Sequence, residues 1–377
     1  MTLLIWACAV FAALAVLLHI VSTLLAIYRC RWKTSAPYVR KAAPISVLRP
    51  VRGLDPYDEA TLSSGFKLDY PGYELIHCCA DADDPAVGAI QRLMAEHPHV
   101  DAHLLIGDDN VTSNPKLNNL IKGWREARHE WVVMADSNVL MPPDYLQRLL
   151  AGWRADTGLL CAPPIGCLPH GFWAEVECAF LNTYQARWQY AADTVGLGFA
   201  QGKTMLWRRA LLERAGGIGA LGAEIAEDAA ATKVVRRSGR RVRLVDRPFG
   251  QPLGYRSAPQ IWLRQVRWAR LRRATFPACF VPEIASGSMM PFVAAAYAAH
   301  ASDVSVVGVT AALAATWYAC EALLARAAGW HLGFWSPFAW LVRDVMLPIL
   351  WGQAWLGNSF SWRGNDMSLE DAMAGNR

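Results

Sequence analysis

The sequence predicts an α/β domain built on a mostly parallel sheet and held at a membrane by apolar helices at both ends. Three observations carry this reading. Residues 3–28 (LLIWACAVFAALAVLLHIVSTLLAIY) contain no charged side chain. Short apolar runs between residues 45 and 135 alternate with segments of helical spacing. Beyond about residue 280 the chain turns apolar again. Composition agrees: 54% of the 377 residues are hydrophobic, 17 are Trp and the mean hydropathy is +0.15, yet 18% are charged. Such a chain is too apolar for an ordinary soluble enzyme, so its aqueous and membrane parts should be segregated.

The first segment, as a helix, is long enough to cross a hydrocarbon layer about 30 Å thick. A cleaved signal peptide would carry basic residues ahead of its apolar core; here none precedes it, and Arg29, Arg31 and Lys33 come after it. The segment therefore reads as a retained anchor, with the N-terminus outside and residue 29 onward in the cytoplasm. Nine cysteines without a CxxC pair fit that compartment as reduced packing residues.

Strand-like runs occur next at 45–48 (ISVL), 73–79 (YELIHCC), 102–106 (AHLLI) and 131–135 (WVVMA). Between and after them, residues 56–66, 85–96, 115–128 and 143–154 have helical spacing. Strands alternating with helices imply a parallel sheet, and in such sheets ligands collect beyond the carboxyl ends of the strands. The residues at those exits are Pro50–Gly53, Asp81–Asp84, Asp108 with Asp109, and Asp136–Asn138. Three of the four exits are acidic.

No GxGxxG or GxxxxGK[ST] comes after a strand; "GFAQGKT" (198–204) lacks the first glycine at the right spacing. A site that holds a nucleotide diphosphate through acidic residues and a hard divalent cation survives this exclusion, because carboxylates and phosphates repel unless such a cation bridges them. Asp136, with Asn138 two residues on, is placed to bind Mg²⁺ or Mn²⁺. Its other reading, a cap for the next helix, is better filled by Asp144 after Pro142 and Pro143.

The second half is basic. From Lys203 to Arg273 there are 17 Lys or Arg against 5 Asp or Glu, a local +12 in a chain whose total is +5. Glu227 and Asp228 begin a helix, where acidic residues also simply complement the macrodipole; a basic strand lies beyond Gly239. Residues 258–276 form an amphipathic basic helix, which also suits an anionic lipid surface. The aromatic stretch 171–199, including Phe172, Trp173, Phe180, Tyr184, Trp188, Tyr190 and Phe199, reads either as core or as a lip for lipid entry. Candidate spans lie near 288–302, 304–325 and 335–357, with Arg343 and Asp344 inside the last, where such residues pair or face protein.

Asp81 and Asp83, "NPKLNNL" (114–120), "DSN" (136–138), "AED" (226–228) and "RQVRW" (264–268), in this order and between membrane segments, resemble the GT-A glycosyltransferases of the family 2 type. More closely the chain resembles the ceramide glucosyltransferases of family 21, in a bacterial form. The likeness runs from about Pro44 to Pro282 and weakly into "FSWRGNDMSL" (360–369). It implies a GT-A nucleotide-diphospho-sugar transferase domain between N-terminal and C-terminal transmembrane helices. Asp81 or Asp83 would contact the uridine, Lys116 would approach the donor phosphates, and Asp136 would bind the diphosphate through a metal, with Asn138. Asp228 would be the general base. Arg264, Arg267 and Trp268 match (Q/R)xxRW, which steadies the leaving group. Where many relatives read DxD, this chain reads Asp136-Ser137-Asn138, one carboxylate fewer.

The implied reaction moves glucose from UDP-glucose to ceramide at the bilayer. A single base with no second nucleophile argues for inversion, giving β-glucosylceramide. Another lipid acceptor, a hopanoid polyol or diacylglycerol, and a noncatalytic scaffold or transporter subunit are the alternatives. A nucleic-acid partner is not expected between membrane spans. The expected plan is an anchor at 1–28, a cytoplasmic catalytic domain at 29–257, an interfacial helix at 258–278, membrane segments at 279–359 and a tail at 360–377, all in a bacterial inner membrane.

Overall fold

The computed structural model describes residues 2–32, 43–362 and 365–368; Lys33, counted among the basic residues after the anchor, lies outside them. The strands are β1 (Ile45–Val51), β2 (Tyr73–Cys79), β3 (Asp101–Ile106), β4 (Trp131–Ala135), β5 (Thr157–Cys161), β6 (Ile165–His170), β7 (Thr204–Arg208), β8 (Arg241–Leu244) and β9 (Gly250–Tyr255), with a late antiparallel hairpin of β10 (Ser359–Trp362) and β11 (Asn365–Ser368). The α-helices are α1 (Thr2–Ile27), α2 (Asp58–Gly65), α3 (Pro85–Glu96), α4 (Pro115–Glu126), α5 (Tyr145–Gly152), α6 (Phe172–Ala179), α7 (Arg187–Thr194), α8 (Arg209–Arg214), α9 (Glu227–Arg237), α10 (Ala258–Thr275), α11 (Pro277–Phe280), α12 (Met289–Ala301), α13 (Val306–Ala328) and α14 (Ser336–Trp355).

Two compact units emerge. One is α/β and comprises residues 32–167 and 192–254; the other is helical and comprises residues 1–31, 168–191 and 255–375. In the α/β unit seven strands run in the order β3-β2-β1-β4-β7-β5-β8. The first four are mutually parallel, as the alternating sequence pattern requires. β7 is antiparallel to β4 and to β5, while β5 and β8 are parallel. Both faces of the central strands are covered, so these read as apolar runs; Val47, Leu75, Val133 and Leu206 are buried in one core. Because β7 runs backwards, its first residue stands at the edge where β4 ends: Ala135 pairs with Thr204.

Helix starts obey local chemistry. The Asn114 side chain accepts from Leu117 N, with Pro115 in the first turn of α4. Asp84 caps α3 through Ala86 N. The cap expected from Asp144 differs: α5 does begin after it, but its carboxylate makes no cap bond and instead accepts from Arg148 Nε at 2.8 Å. All nine cysteines are free thiols.

Residues 168–191, placed by sequence inside the catalytic domain, group with the helical unit. The reason is packing: Val176, Ala179, Phe180 and Tyr184 share a core with Ile261 and Val266 of α10 and with Trp340, Leu347 and Leu350 of α14. Phe180, Tyr184 and Tyr190 are buried, so these members of the aromatic stretch are core and not an exposed lip. Among the described residues, two helical segments are long and apolar enough to cross a membrane, Thr2–Arg31 and Val306–Ala328; Pro277–Ala285 and Met289–Ala301, bent by 46°, qualify only as a pair. The span expected at 335–357 is a helix, α14, but it is not among these. Pro348, Arg343, Asp344 and Gln353 dilute its apolar content.

Candidate active site

The strands bring one charged cluster together at the carboxyl edge of β4. Lys116, in the first turn of α4, is nearly buried. Its Nζ lies 2.6 Å from Asp136 Oδ1, 2.6 Å from Glu227 Oε1 and 2.7 Å from the Gly202 carbonyl oxygen. Glu227 and Gly202 take directed N–H bonds from this ammonium, and Asp136 faces it as an ion pair. Asn114 donates to the other Glu227 oxygen at 2.9 Å and to the Ile225 carbonyl at 3.0 Å, tying the start of α4 to the start of α9.

Asp136 is the residue after β4, and its backbone N–H donates to the Lys203 carbonyl at 3.0 Å, extending the β4–β7 ladder by one bond. Its second oxygen, Oδ2, lies 2.8 Å from Lys203 Nζ, and that ammonium also donates to Asn138 Oδ1 at 3.1 Å. Oδ1 is buried and meets Lys116 away from the direction of a hydrogen bond. The exit itself is held from below. Arg49 of β1, fully buried, donates from Nη2 to the carbonyls of Asp136 (3.2 Å), Ser137 (2.7 Å) and Val139 (3.2 Å).

Asp228 sits half-buried in the first turn of α9 and accepts from Gly202 N at 3.1 Å and from Ala229 N at 2.8 Å. Gly202 thus joins the two halves of the site, its N–H to Asp228 and its carbonyl to Lys116. A Cβ there would stand 2.7 Å from Glu227 Oε1 and 3.1 Å from Lys116 Nζ, so only glycine fits without movement.

The electrostatics separate the two aspartates. Burial works to raise the Asp136 carboxyl, but Lys116 and Lys203 hold it well below the usual carboxylate range. Burial works to lower Lys116, but Asp136 and Glu227 hold it above its ordinary value. For Asp228, burial and then the adjacent Glu227 charge push the carboxyl up to about 6, against the pull of Lys116. One carboxylate is fixed as an anion; the other is tuned to exchange protons near neutrality.

The structure therefore brings together Lys116, Asp136, Asn138 and Asp228. Asp81 and Asp83 lie beyond β2, separated from β4 by β1, on an exposed turn in which Asp83 N donates to Asp81 Oδ1 at 3.0 Å. Arg264, Arg267 and Trp268 lie on α10 of the helical unit, where Arg264 and Arg256 both pair with the fully buried Glu177. Sequence reasoning missed Lys203, Gly202, Arg49 and the Lys116–Glu227 pair. The signal for Lys203 was its place before the apolar run "TMLW", a strand that starts where β4 stops.

Asp136 Oδ2 and Asn138 Oδ1 are hard oxygen donors that converge on one ammonium, that of Lys203, an arrangement that suits a divalent cation completed by phosphates and water. Among the described residues, the one group of three acidic or His side chains close enough to share an ion is Glu74, Asp101 and His103. It stands at the opposite edge, where β2 and β3 begin, and Arg128 bonds to both of its carboxylates.

The model of the family described as "Glycosyl transferase family 21" matches residues 14–374. The chain is similar to ceramide glucosyltransferase 1 of Caenorhabditis elegans, 26% identical over 372 residues, covering 96% of this chain and 78% of that protein. It is also similar to ceramide glucosyltransferase of Komagataella phaffii, 34% identical over 148 residues, covering 36% and 29%. Among solved structures it resembles a mannosyltransferase from Pyrobaculum calidifontis in complex with GDP-Man and Mn²⁺, with 20% identity, TM-score 0.44 and coverage of 91% of this chain and 99% of that one.

Proposed function

Because the chain belongs to glycosyl transferase family 21 and is a hexosyltransferase, we propose that it moves glucose from UDP-glucose to the primary hydroxyl of ceramide with inversion at the anomeric carbon. The observation that carries this reading is the pairing of an aspartate pushed up to about 6 with a lysine-held aspartate across one glycine. Glycosyl transfer to an alcohol needs a base for the hydroxyl proton and positive charge for the departing diphosphate.

Asp228 takes the acceptor proton. The N–H groups of Gly202 and Ala229 hold its carboxylate in place, and its raised pKa matches it to a proton transfer near neutral pH. Lys116 holds positive charge beside Asp136 and cannot be neutralised near neutral pH. A divalent cation, when bound, would neutralise charge on the leaving diphosphate, and Asp136 and Asn138 would hold it. Asp81 or Asp83 at the uridine, and Arg264, Arg267 and Trp268 at the leaving group, keep the roles that the resemblance implies. Arg29 and Arg31, after the first apolar helix, favour a cytoplasmic side for the α/β unit, which in a bacterial cell means the inner membrane.

The test uses membranes carrying the full chain, incubated with labelled UDP-glucose, UDP-galactose or UDP-N-acetylglucosamine and with ceramide, diacylglycerol or a hopanoid polyol. Label from UDP-glucose entering a β-linked ceramide product supports the proposal. Transfer to another lipid, or from another donor in preference, replaces the substrate while leaving the family chemistry intact.

A further inference from the structure

Lys116 and Lys203 both face Asp136, but they are held differently. Lys116 is held by hydrogen bonds to Glu227 and Gly202 and an ion pair with Asp136, and its side chain is 14% exposed. Lys203 is 21% exposed, and its ammonium meets Asp136 Oδ2 and Asn138 Oδ1. Those two residues are the ones assigned to a divalent cation. The backbone of Lys203 is pinned by the ladder bond from Asp136 N, whereas its four-carbon stem leaves the ammonium free to swing.

An ammonium and a doubly charged cation cannot occupy the same pair of oxygens, since like charges at such separations repel strongly in a partly buried site. Occupation by one must expel the other. We propose that Lys203 is the resident cation of the Asp136–Asn138 pair, and that a divalent ion binds there only by displacing the Lys203 ammonium. Two residues after Asp136 stands an amide, not a second carboxylate, and a lysine meets it. The lysine keeps Asp136 compensated before the donor arrives, and once displaced it carries a mobile positive charge at the diphosphate site. This inference rests on the assignment of Asp136 and Asn138 to the metal.

The experiment titrates the full-length protein in nanodiscs with Mn²⁺ alone, monitoring free Mn²⁺ by electron paramagnetic resonance. It compares the parent with Lys203→Met, Lys203→Gln and Asp136→Asn, each checked for an intact thermal transition. If the ammonium holds the oxygens in most molecules, the apparent affinity is reduced by the small fraction of open sites. Both Lys203 variants should then bind Mn²⁺ about tenfold more tightly or better, and Asp136→Asn added to either should abolish the gain. Equal or weaker Mn²⁺ binding by both Lys203 variants, or none measurable, overturns the displacement. If Mn²⁺ binding is instead indifferent to Asp136→Asn in every background, the assignment of Asp136 to the metal fails, which is a separate result.

Discussion

Two buried charged clusters, one in each unit, are built to opposite ends. In the helical unit, Arg343 (1% exposed) pairs with Glu321 at 2.7 Å and Asp344 at 2.8 Å. Thr183 donates to Glu321 at 2.6 Å, Tyr318 donates to Asp344 at 3.2 Å, and Arg343 also donates to the Ala179 carbonyl. Every carboxylate there is served by fixed donors from neighbouring helices. In the α/β unit the cluster around Asp136 is equally dense but stays open to solvent at Asp136, Lys203 and Asp228. The first arrangement holds helices in register; the second leaves charges that a ligand can exchange. Burial alone does not separate the two clusters; solvent access at one partner does.

The sharpest way to break this contrast is to remove one member of each cluster. Arg343→Ala leaves Glu321 and Asp344 buried without their cation and should cost about 3–5 kcal/mol, read as loss of folded protein in detergent unfolding curves. A similar loss from Lys203→Met would erase the distinction.

Asp228→Asn should lower kcat by about 10²-fold or more while UDP binding persists; wild-type turnover would remove Asp228 as the base. The same change should leave the protein more thermally stable at neutral pH. The Asp228 carboxyl ionises at about 6 when folded against an ordinary 3.8, so the folded state binds the proton more tightly. Its relative stability is therefore highest below 3.8 and falls as pH rises through about 6. The asparagine lacks that loss, and the two melting curves should converge in acid.

Smaller effects sharpen the same picture. The acid limb of kcat/KM should fall off near pH 6 because Asp228 must be ionised to act. Glu227→Gln removes the negative neighbour, so the limb should move to lower pH; an unmoved limb would assign it to another group. Least of all, Asp144→Ala should change stability by no more than about 0.5 kcal/mol, since the carboxylate caps nothing and its ion pair with Arg148 is exposed.

Of the four parallel strands, β1, β2 and β4 are legible because both of their faces are covered, so each appears as an apolar run, and 73–79 and 131–135 match β2 and β4 end to end; β3, at the sheet edge, is partly exposed and shows through the short run 102–106. β5 and β7 are not legible. "TGLLC" is too short to show a period, and "TMLWR" is hemmed by Lys203 and Arg209, so neither stands out from a loop. Missing β7 hid Lys203, since only an antiparallel neighbour puts the residue before a strand beside the residue after β4. Lys116, Asp136, Asn138 and Asp228 converge from the exits and helix starts where sequence logic placed them, whereas the Lys116–Glu227 pair depends on how α4 and α9 approach, which no local pattern encodes.

Gly202 has a kinematic consequence. Its two backbone torsions are the only rotations between the peptide N–H that holds Asp228 and the carbonyl that holds Lys116. On the backbone side, the distance between these two anchoring groups can change only through that two-angle joint, which Glu227 boxes in. A shift of either side chain that keeps its bond to Gly202 must therefore turn one peptide plane against the other.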